Sequence, residues 1–245
     1  MTAFYNEIDP YAAQWLRNLI AAGHIAPGVV DERSIEDIEP AELVYYTQCH
    51  FFAGIGVWSH ALRLAGWPDD KPVWTGSCPC QPFSAAGKGA GFADERHLWP
   101  AFHWLIKQCR PSVIFGEQVA STDGMQWLDL VQTDLEDSGY ASAAVDICAA
   151  GVGAPHIRQR LYWVGHSLRQ RLPGFSFRFV GPNGKDSAWK SCTYIECVDG
   201  LHRPVEPGTL PLAHGVTARV GRLRAYGNTI VPQVAQRFIE AYMTC

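Results

Sequence analysis

Residues 46–67, YTQCHFFAGIGVWSHALRLAGW, run directly from a strand pattern through a Gly-x-Gly turn into a helix pattern. An apolar strand joined to a helix by two glycines is the opening half of a βαβ unit. It commits the chain to a largely parallel sheet with helices on its faces. Gly54 and Gly56 suit a backbone that a nucleotide-like ligand can approach closely. Gly-x-Gly alone is weak evidence, because Ala53-Gly54 also reads as an ordinary tight turn.

The flanking sequence continues the alternation. TAFYNEI is a strand pattern, and DPYAAQWLRNLIAAG is a helix pattern with Asp9 as N-cap, Pro10 in the first turn and Gly23 at the end. A polar loop follows, closing in SIEDIEPAEL. KPVWTGS, PSVIFGE, ASAAVDIC and RLYWVGH read as strands, with helices over LWPAFHWLIKQC and MQWLDLVQTDLEDSGY. The fold class expected is α/β, a doubly wound sheet occupying residues 1–165. From about 166 the chain turns rich in Gly, Pro and Arg, so 166–220 is expected to form a small loop-rich lobe. Residues 221–245 return to the main body through a helix with Pro232 at its start and Val234, Phe238 and Tyr242 on one face.

Charge separates along the same line. Residues 1–150 carry 8 Lys+Arg against 19 Asp+Glu, and residues 151–245 carry 12 against 5. A basic segment on an acidic body suits an anionic partner met on one face. No apolar run approaches the roughly 18 residues of a membrane span, and no export signal is visible, so a cytoplasmic protein without membrane attachment is expected; a monomer is expected as well. Eight cysteines at irregular spacings fit reduced thiols better than a disulfide framework.

GSCPCQPFSAAGKGAGF, beginning at Gly76, admits three chemistries. Cys78-x-Cys80 is too tight for the usual zinc spacing, and Cys192 and Cys197 have no matching second pair, so no metal is expected. GKGAGF lacks the Gly-x4-Gly-Lys-Ser/Thr pattern of a phosphate loop. A reactive thiolate fits better, because Pro79 and Pro82 stiffen the loop around Cys80. Such a thiolate needs a partner and a positive field, and Glu117, Arg158 and Arg160 are the candidates. The carboxyl ends of parallel strands share one edge, so Cys80 and Glu117 could face one pocket.

Taken in chain order, FFAGIG, PCQPFS, GEQV, RQR and GNTIVP resemble the DNA (cytosine-5) methyltransferase family. The resemblance implies a Rossmann-like class I S-adenosylmethionine-dependent methyltransferase fold with a small target-recognition lobe. It implies S-adenosyl-L-methionine as cofactor, double-stranded DNA as partner, and Cys80 as the nucleophile, with Glu117, Arg158 and Arg160 completing the catalytic set. Phe52, Ala53, Gly54, Ile55 and Gly56 would line the cofactor, together with Pro79, Leu98 and Asn228. Gln81, Ser84, Arg158 and Arg160 would meet the DNA. Small size and compressed loops would suit a phage or prophage enzyme, whether paired with a restriction enzyme or solitary.

Three departures stand out. A doubly wound cofactor site needs an acidic residue at the end of its second strand, roughly 20 residues after the glycine turn. Only residues 57–77 separate Gly56 from Cys78, enough for one helix and one strand, and Asp69-Asp70 reads as a turn. YNEIDPYAAQ instead resembles the ribose-side motif, with Glu7 and Ile8, and RSIEDIEPAEL the adenine-side motif, with Ser34 and Ile35. The expectation is a permuted chain, with its second and third strands first. Gln118 stands where the family usually has asparagine, so the bond steadying the catalytic loop would have to be remade. The recognition lobe is also short. RNA cytosine methylation and a catalytically weak DNA-binding relative remain the alternatives.

Overall fold

The computed structural model describes residues 2–79, 98–167, 193–196, 202–205 and 229–244. The main body opens with β1 (Thr2–Asn6), α1 (Pro10–Ala21) and β2 (Gly28–Asp31). A 3-10 turn (Ile35–Asp37) and the short α2 (Pro40–Leu43) lead into β3 (Tyr46–Phe51). Then come α3 (Val57–Leu64), β4 (Val73–Gly76), α4 (Trp99–Cys109), β5 (Val113–Val119), α5 (Thr122–Asp137), β6 (Tyr140–Cys148) and β7 (Gln159–Ser167). A separate two-stranded ladder pairs β8 (Thr193–Glu196) with β9 (His202–Val205), and α6 (Pro232–Met243) closes the described chain.

The seven main strands lie in the order β2-β1-β3-β4-β5-β7-β6. The first five are parallel, and β7 runs antiparallel between β5 and β6. Counted from β3, the strand that feeds the glycine turn, the parallel part reads third, second, first, fourth, fifth. That is the doubly wound order, with the reversal of direction, and hence the ligand crevice, at β3 and β4. Its second and third strands are the first two of the chain.

Side chains alternate across the sheet, as a period of two requires. Phe4, Cys49, Phe51, Trp74, Ile114, Leu161 and Trp163 join one core with Phe102, Trp99 and Trp127 of α4 and α5. Val73, Val113, Phe115, Tyr162 and Val164 face the other way, against Trp58 and Leu62 of α3 and Val234, Phe238 and Tyr242 of α6. Ala3 and Tyr5 pack with Leu16 of α1 on a third, smaller cluster. The helix faces behave as their spacing implies: Asp9 caps α1 through bonds from the Tyr11 and Ala12 N–H groups, with Pro10 in its first turn.

One stretch differs from expectation. The polar loop after α1 contains β2, a four-residue edge strand in parallel register with β1 from Ala3↔Gly28 to Asn6↔Asp31. An edge strand buries only one side against a neighbour and tolerates the charge that disguised it.

Candidate active site

Four strand ends meet at one edge of the sheet. The registers Asn6↔Phe51, Phe51↔Gly76 and Gly76↔Gly116 align the carboxyl ends of β1, β3, β4 and β5, and Val119↔Arg160 brings the start of β7 to the same place. Glu7, the glycine turn, the entry to the Cys80 segment, Glu117 and Arg160 therefore converge, although 153 positions separate the first from the last.

The glycine turn is tied to the first strand. The Glu7 carboxylate accepts from Gly54 N–H at 2.7 Å through Oε2 and from Asp9 N–H at 2.9 Å through Oε1. Ala53 N–H donates to the Asn6 carbonyl at 3.0 Å. Phe52, Gly54 and Gly56 all have positive φ, at 51°, 54° and 78°. The two glycines serve different ends. A side chain on Gly56 would press on Leu16 and Ile25, whereas one on Gly54 would meet nothing within 4 Å. Gly56 thus packs the turn on α1, and Gly54 leaves its backbone open on the outer side of the turn. Ile55 is buried behind the turn, and Ile8 stands 66% exposed in front of it.

The next two candidates lie on the far side of β1. Ser34 caps the 3-10 turn, its hydroxyl accepting from Glu36 N–H. Ile35 is 3% exposed, its side chain in the core cluster with Phe4, Leu43 and Ile106. Leu98 is half-buried against that same cluster, at the N-terminus of α4, and Pro79 is exposed. Cys80, Gln81, Ser84 and Asn228 lie outside the described residues. So does most of 166–220.

Glu117 is the centre of the described chemistry. It is 8% exposed, and Arg160 Nε lies 2.9 Å from its Oε1. Burial raises its pKa above the ordinary carboxylate value, opposed by the charges of Arg160 and Arg158 and by a hydrogen bond from Ser77. The two arginines thus pull toward ionisation, and the buried setting keeps a proton within reach. Sequence reading missed Ser77 and its neighbour Trp58, whose indole N–H donates to Ser77 Oγ at 3.0 Å. Their only signal was register, since Gly76 pairs with Gly116 and so sets Ser77 beside Glu117.

Two neighbours sharpen the assignment. Cys78 is 5% exposed, and burial pushes its thiol pKa well up, which marks it as a packing residue two positions before Cys80. Gln118 is 1% exposed; its Oε1 accepts from Val119 N–H at 2.9 Å, and its Nε2 has no partner among the described residues. The longer side chain therefore folds back on its own strand. Among the described residues no His/Cys/Asp/Glu group could hold a metal ion, and no helix is long and apolar enough to cross a membrane.

Residues 67–187 match the family model of the C-5 cytosine-specific DNA methylases. Among curated relatives, the type II methyltransferase M.HhaI of Haemophilus parahaemolyticus is 31% identical over 117 residues, covering 46% of this chain and 35% of that protein. M.HaeII of Haemophilus aegyptius is 32% identical over 120 residues, covering 47% and 36%. The matched part thus spans about a third of the length of these relatives. The span of the family model includes Glu117 and Arg160, the pair that the sheet edge joins, and begins beyond the glycine turn. On this match, with Glu117 and Arg160 brought together at one edge of a doubly wound sheet, residues 67–187 are similar to the C-5 cytosine-specific DNA methylases.

Proposed function

We propose that the protein transfers a methyl group from S-adenosyl-L-methionine to C5 of a cytosine in double-stranded DNA. The observation that carries the reading is the buried Glu117–Arg160 pair at the carboxyl edge of β5, one strand from the segment that leads to Cys80.

The residues at the glycine turn fit the cofactor, because Gly54 offers open backbone and Glu7 ends the neighbouring strand beside it. Phe52 to Gly56, Glu7 and Ile8 would hold it from one side, with Pro79, Leu98 and Asn228 closing the other, and Ser34 and Ile35 shaping the adenine end. S-adenosyl-L-methionine supplies an electrophilic methyl group. C5 of cytosine is a poor nucleophile until a group adds at C6, which is the task of the Cys80 thiolate. Glu117 holds the N3/N4 edge of the base and delivers a proton toward N3 as electron density moves onto the ring. C5 then takes the methyl, a base removes the C5 proton, and the thiolate leaves C6 to restore the aromatic ring. Arg160, bonded to Glu117, and Arg158 beside it hold the pair in register and favour anions at the site. The target must leave the stack for its C6 to reach a thiolate, with Gln81 and Ser84 in the loop that meets the opened duplex.

The same reading makes the chain a permuted member of its family, with residues 1–40 supplying the ribose and adenine side ahead of the glycine turn. Residues 1–165 are then the catalytic part, 166–220 the recognition lobe and 221–245 the returning segment.

Trapping on duplex DNA containing 5-fluorocytosine tests the reading, because fluorine cannot leave C5 as a proton does. We expect a cofactor-dependent, SDS-resistant shifted band that Cys80→Ser abolishes. A band on an RNA pool alone moves the substrate to RNA, and no band on either nucleic acid overturns the methyltransferase reading.

A further inference from the structure

We infer that Ser77, held by the Trp58 indole, is a positioning residue that fixes the carboxyl of Glu117 for its contact with the target base; the role in the reaction rests on the function proposed above. The placement is dictated by the sheet. β4 and β5 are parallel with Gly76 opposite Gly116, so the next residues, Ser77 and Glu117, emerge side by side on the same face. On the opposite face aromatic rings fill the space over both glycines: a Cβ on Gly76 would collide with Phe102, and one on Gly116 with the Trp163 indole. Neither strand end can therefore slide or turn over.

The hydrogen-bonding inventory fixes the direction of the contact. An indole N–H only donates, so Ser77 Oγ accepts from Trp58 at 3.0 Å. The single hydroxyl proton is then left for the neighbouring carboxylate, and Ser77 does bond to Glu117. Arg160 Nε holds Oε1 of the same carboxyl at 2.9 Å. The carboxyl is thus held by the residue that follows β4 and by β7, on either side of its own strand. Trp58 is itself packed into the core. It is 5% exposed, stacked on Phe115 at 6.1 Å and 14°, and set edge-on to Tyr162 at 6.0 Å and 74°.

The line Trp58–Ser77–Glu117 also starts two residues after Gly56, at the first turn of α3. It joins the glycine turn to the carboxyl that reads the base. A serine that merely filled space would not require a hydroxyl. A serine that positions an acid does, and its loss should alter the acid itself.

The first test needs no substrate: carbon-13 NMR titration of the Glu side-chain carboxyls, with the Glu117 signal assigned by its absence in Glu117→Gln. Among the described residues, the charged and titratable groups facing Glu117 are Arg160, Arg158 and Tyr162, and none is altered in the variants. Ser77→Ala should move the Glu117 midpoint about one pH unit higher, the size expected for losing one hydrogen bond to a charged group. Ser77→Thr should restore it, and Trp58→Phe, which keeps the ring and removes the N–H, should fall between. The second test is methyl transfer: Ser77→Ala should lower kcat about tenfold with KM for the cofactor unchanged, a loss within the range of a misplaced acid–base group, and Ser77→Thr should recover most of it. An unmoved midpoint in Ser77→Ala, or a Ser77→Thr protein as impaired as Ser77→Ala, overturns the inference. A wild-type protein that transfers no methyl group would instead overturn the proposed function, and the titration would still decide whether Ser77 governs Glu117.

Discussion

His50 stands one residue before the end of β3, 1% exposed, with its Nδ1 2.8 Å from Thr75 Oγ1 and its ring stacked on Tyr5 at 4.8 Å. Nothing there welcomes a second proton. Burial depresses its pKa from 6.5 to about 3, with only a weak opposing field from Asp69. The sign of the consequence follows from linkage. Below pH 6.5 the unfolded chain takes up a proton that the folded chain refuses until about pH 3, so stability falls as the pH is lowered through that window. Between pH 7 and pH 5 His50 alone should remove about 2 kcal/mol. Urea unfolding at pH 7, 6 and 5 measures it, and His50→Gln should flatten the slope by that amount; parallel slopes in the two proteins would exclude His50 as the source. Glu117 belongs to the same scale but with the opposite charge type: burial raises its pKa, so its proton is retained to higher pH than an exposed carboxyl would keep it. One buried base kept neutral and one buried acid kept near its proton stand on the same face of adjacent parts of the sheet, and each is fixed by a hydroxyl from β4 or its extension, Thr75 for His50 and Ser77 for Glu117.

Strands and helices with strong periodicity could be read from the residues alone. α1 starts where Asp9 and Pro10 place it, and β5 follows the apolar run after Pro111, carried two residues farther, to Val119, by pairing with β7. What escaped was pairing. GVVD of β2 is too short and too flanked by charge to show a period, and its place is set by the hydrogen-bonded register with β1. Nor does an apolar run state its direction, so the antiparallel insertion of β7, which delivers Arg160 to Glu117, is a property of the sheet and not of any segment. The candidate site was legible to the same depth. Glu117 and Arg160 carry their chemistry in their side chains, whereas Ser77 and Trp58 acquire meaning only from neighbours far along the chain. The element-scale weak point is Gly116, over which the Trp163 indole lies flat. Gly116→Ala would drive a methyl group into that ring, and overpacking of this kind costs about 1–3 kcal/mol. Equilibrium urea denaturation should show that loss, and an unchanged midpoint would mean that β7 can shift without cost.

At the scale of the molecule, chain order and sheet order have come apart. The strand that must carry the ribose-side carboxylate in a doubly wound site is β1, at the very front, and the glycine turn follows β3, 47 residues after Glu7. In an unpermuted chain a helix would carry the backbone from the glycine turn to that strand. Here the connection is non-covalent: parallel pairing of β1 with β3, the Asn6 carbonyl on Ala53 N–H, and the Glu7 carboxylate on Gly54 N–H. Tyr5 adds a buried link from the same strand to α3, its hydroxyl 2.9 Å from Ser59 Oγ and donating to the Ala26 carbonyl at 2.7 Å. The sheet neither needs nor records the order in which its strands were made, provided such contacts hold β1 against β3. On the function proposed above Glu7 has two duties, holding the turn and meeting the cofactor, and they can be separated. Glu7→Gln keeps a carbonyl acceptor for one backbone N–H and removes the charge, whereas Glu7→Ala removes both. Loss of hydrogen bonds from a charged acceptor costs about 1.5–3 kcal/mol each, so Glu7→Ala should weaken S-adenosyl-L-methionine binding at least about tenfold by calorimetry and lower the unfolding midpoint as well. Glu7→Gln should weaken binding with a smaller loss of stability. If both variants bind the cofactor as the wild type does, the carboxylate only braces the turn, and the front of the chain is a structural cap instead of a displaced half of the cofactor site.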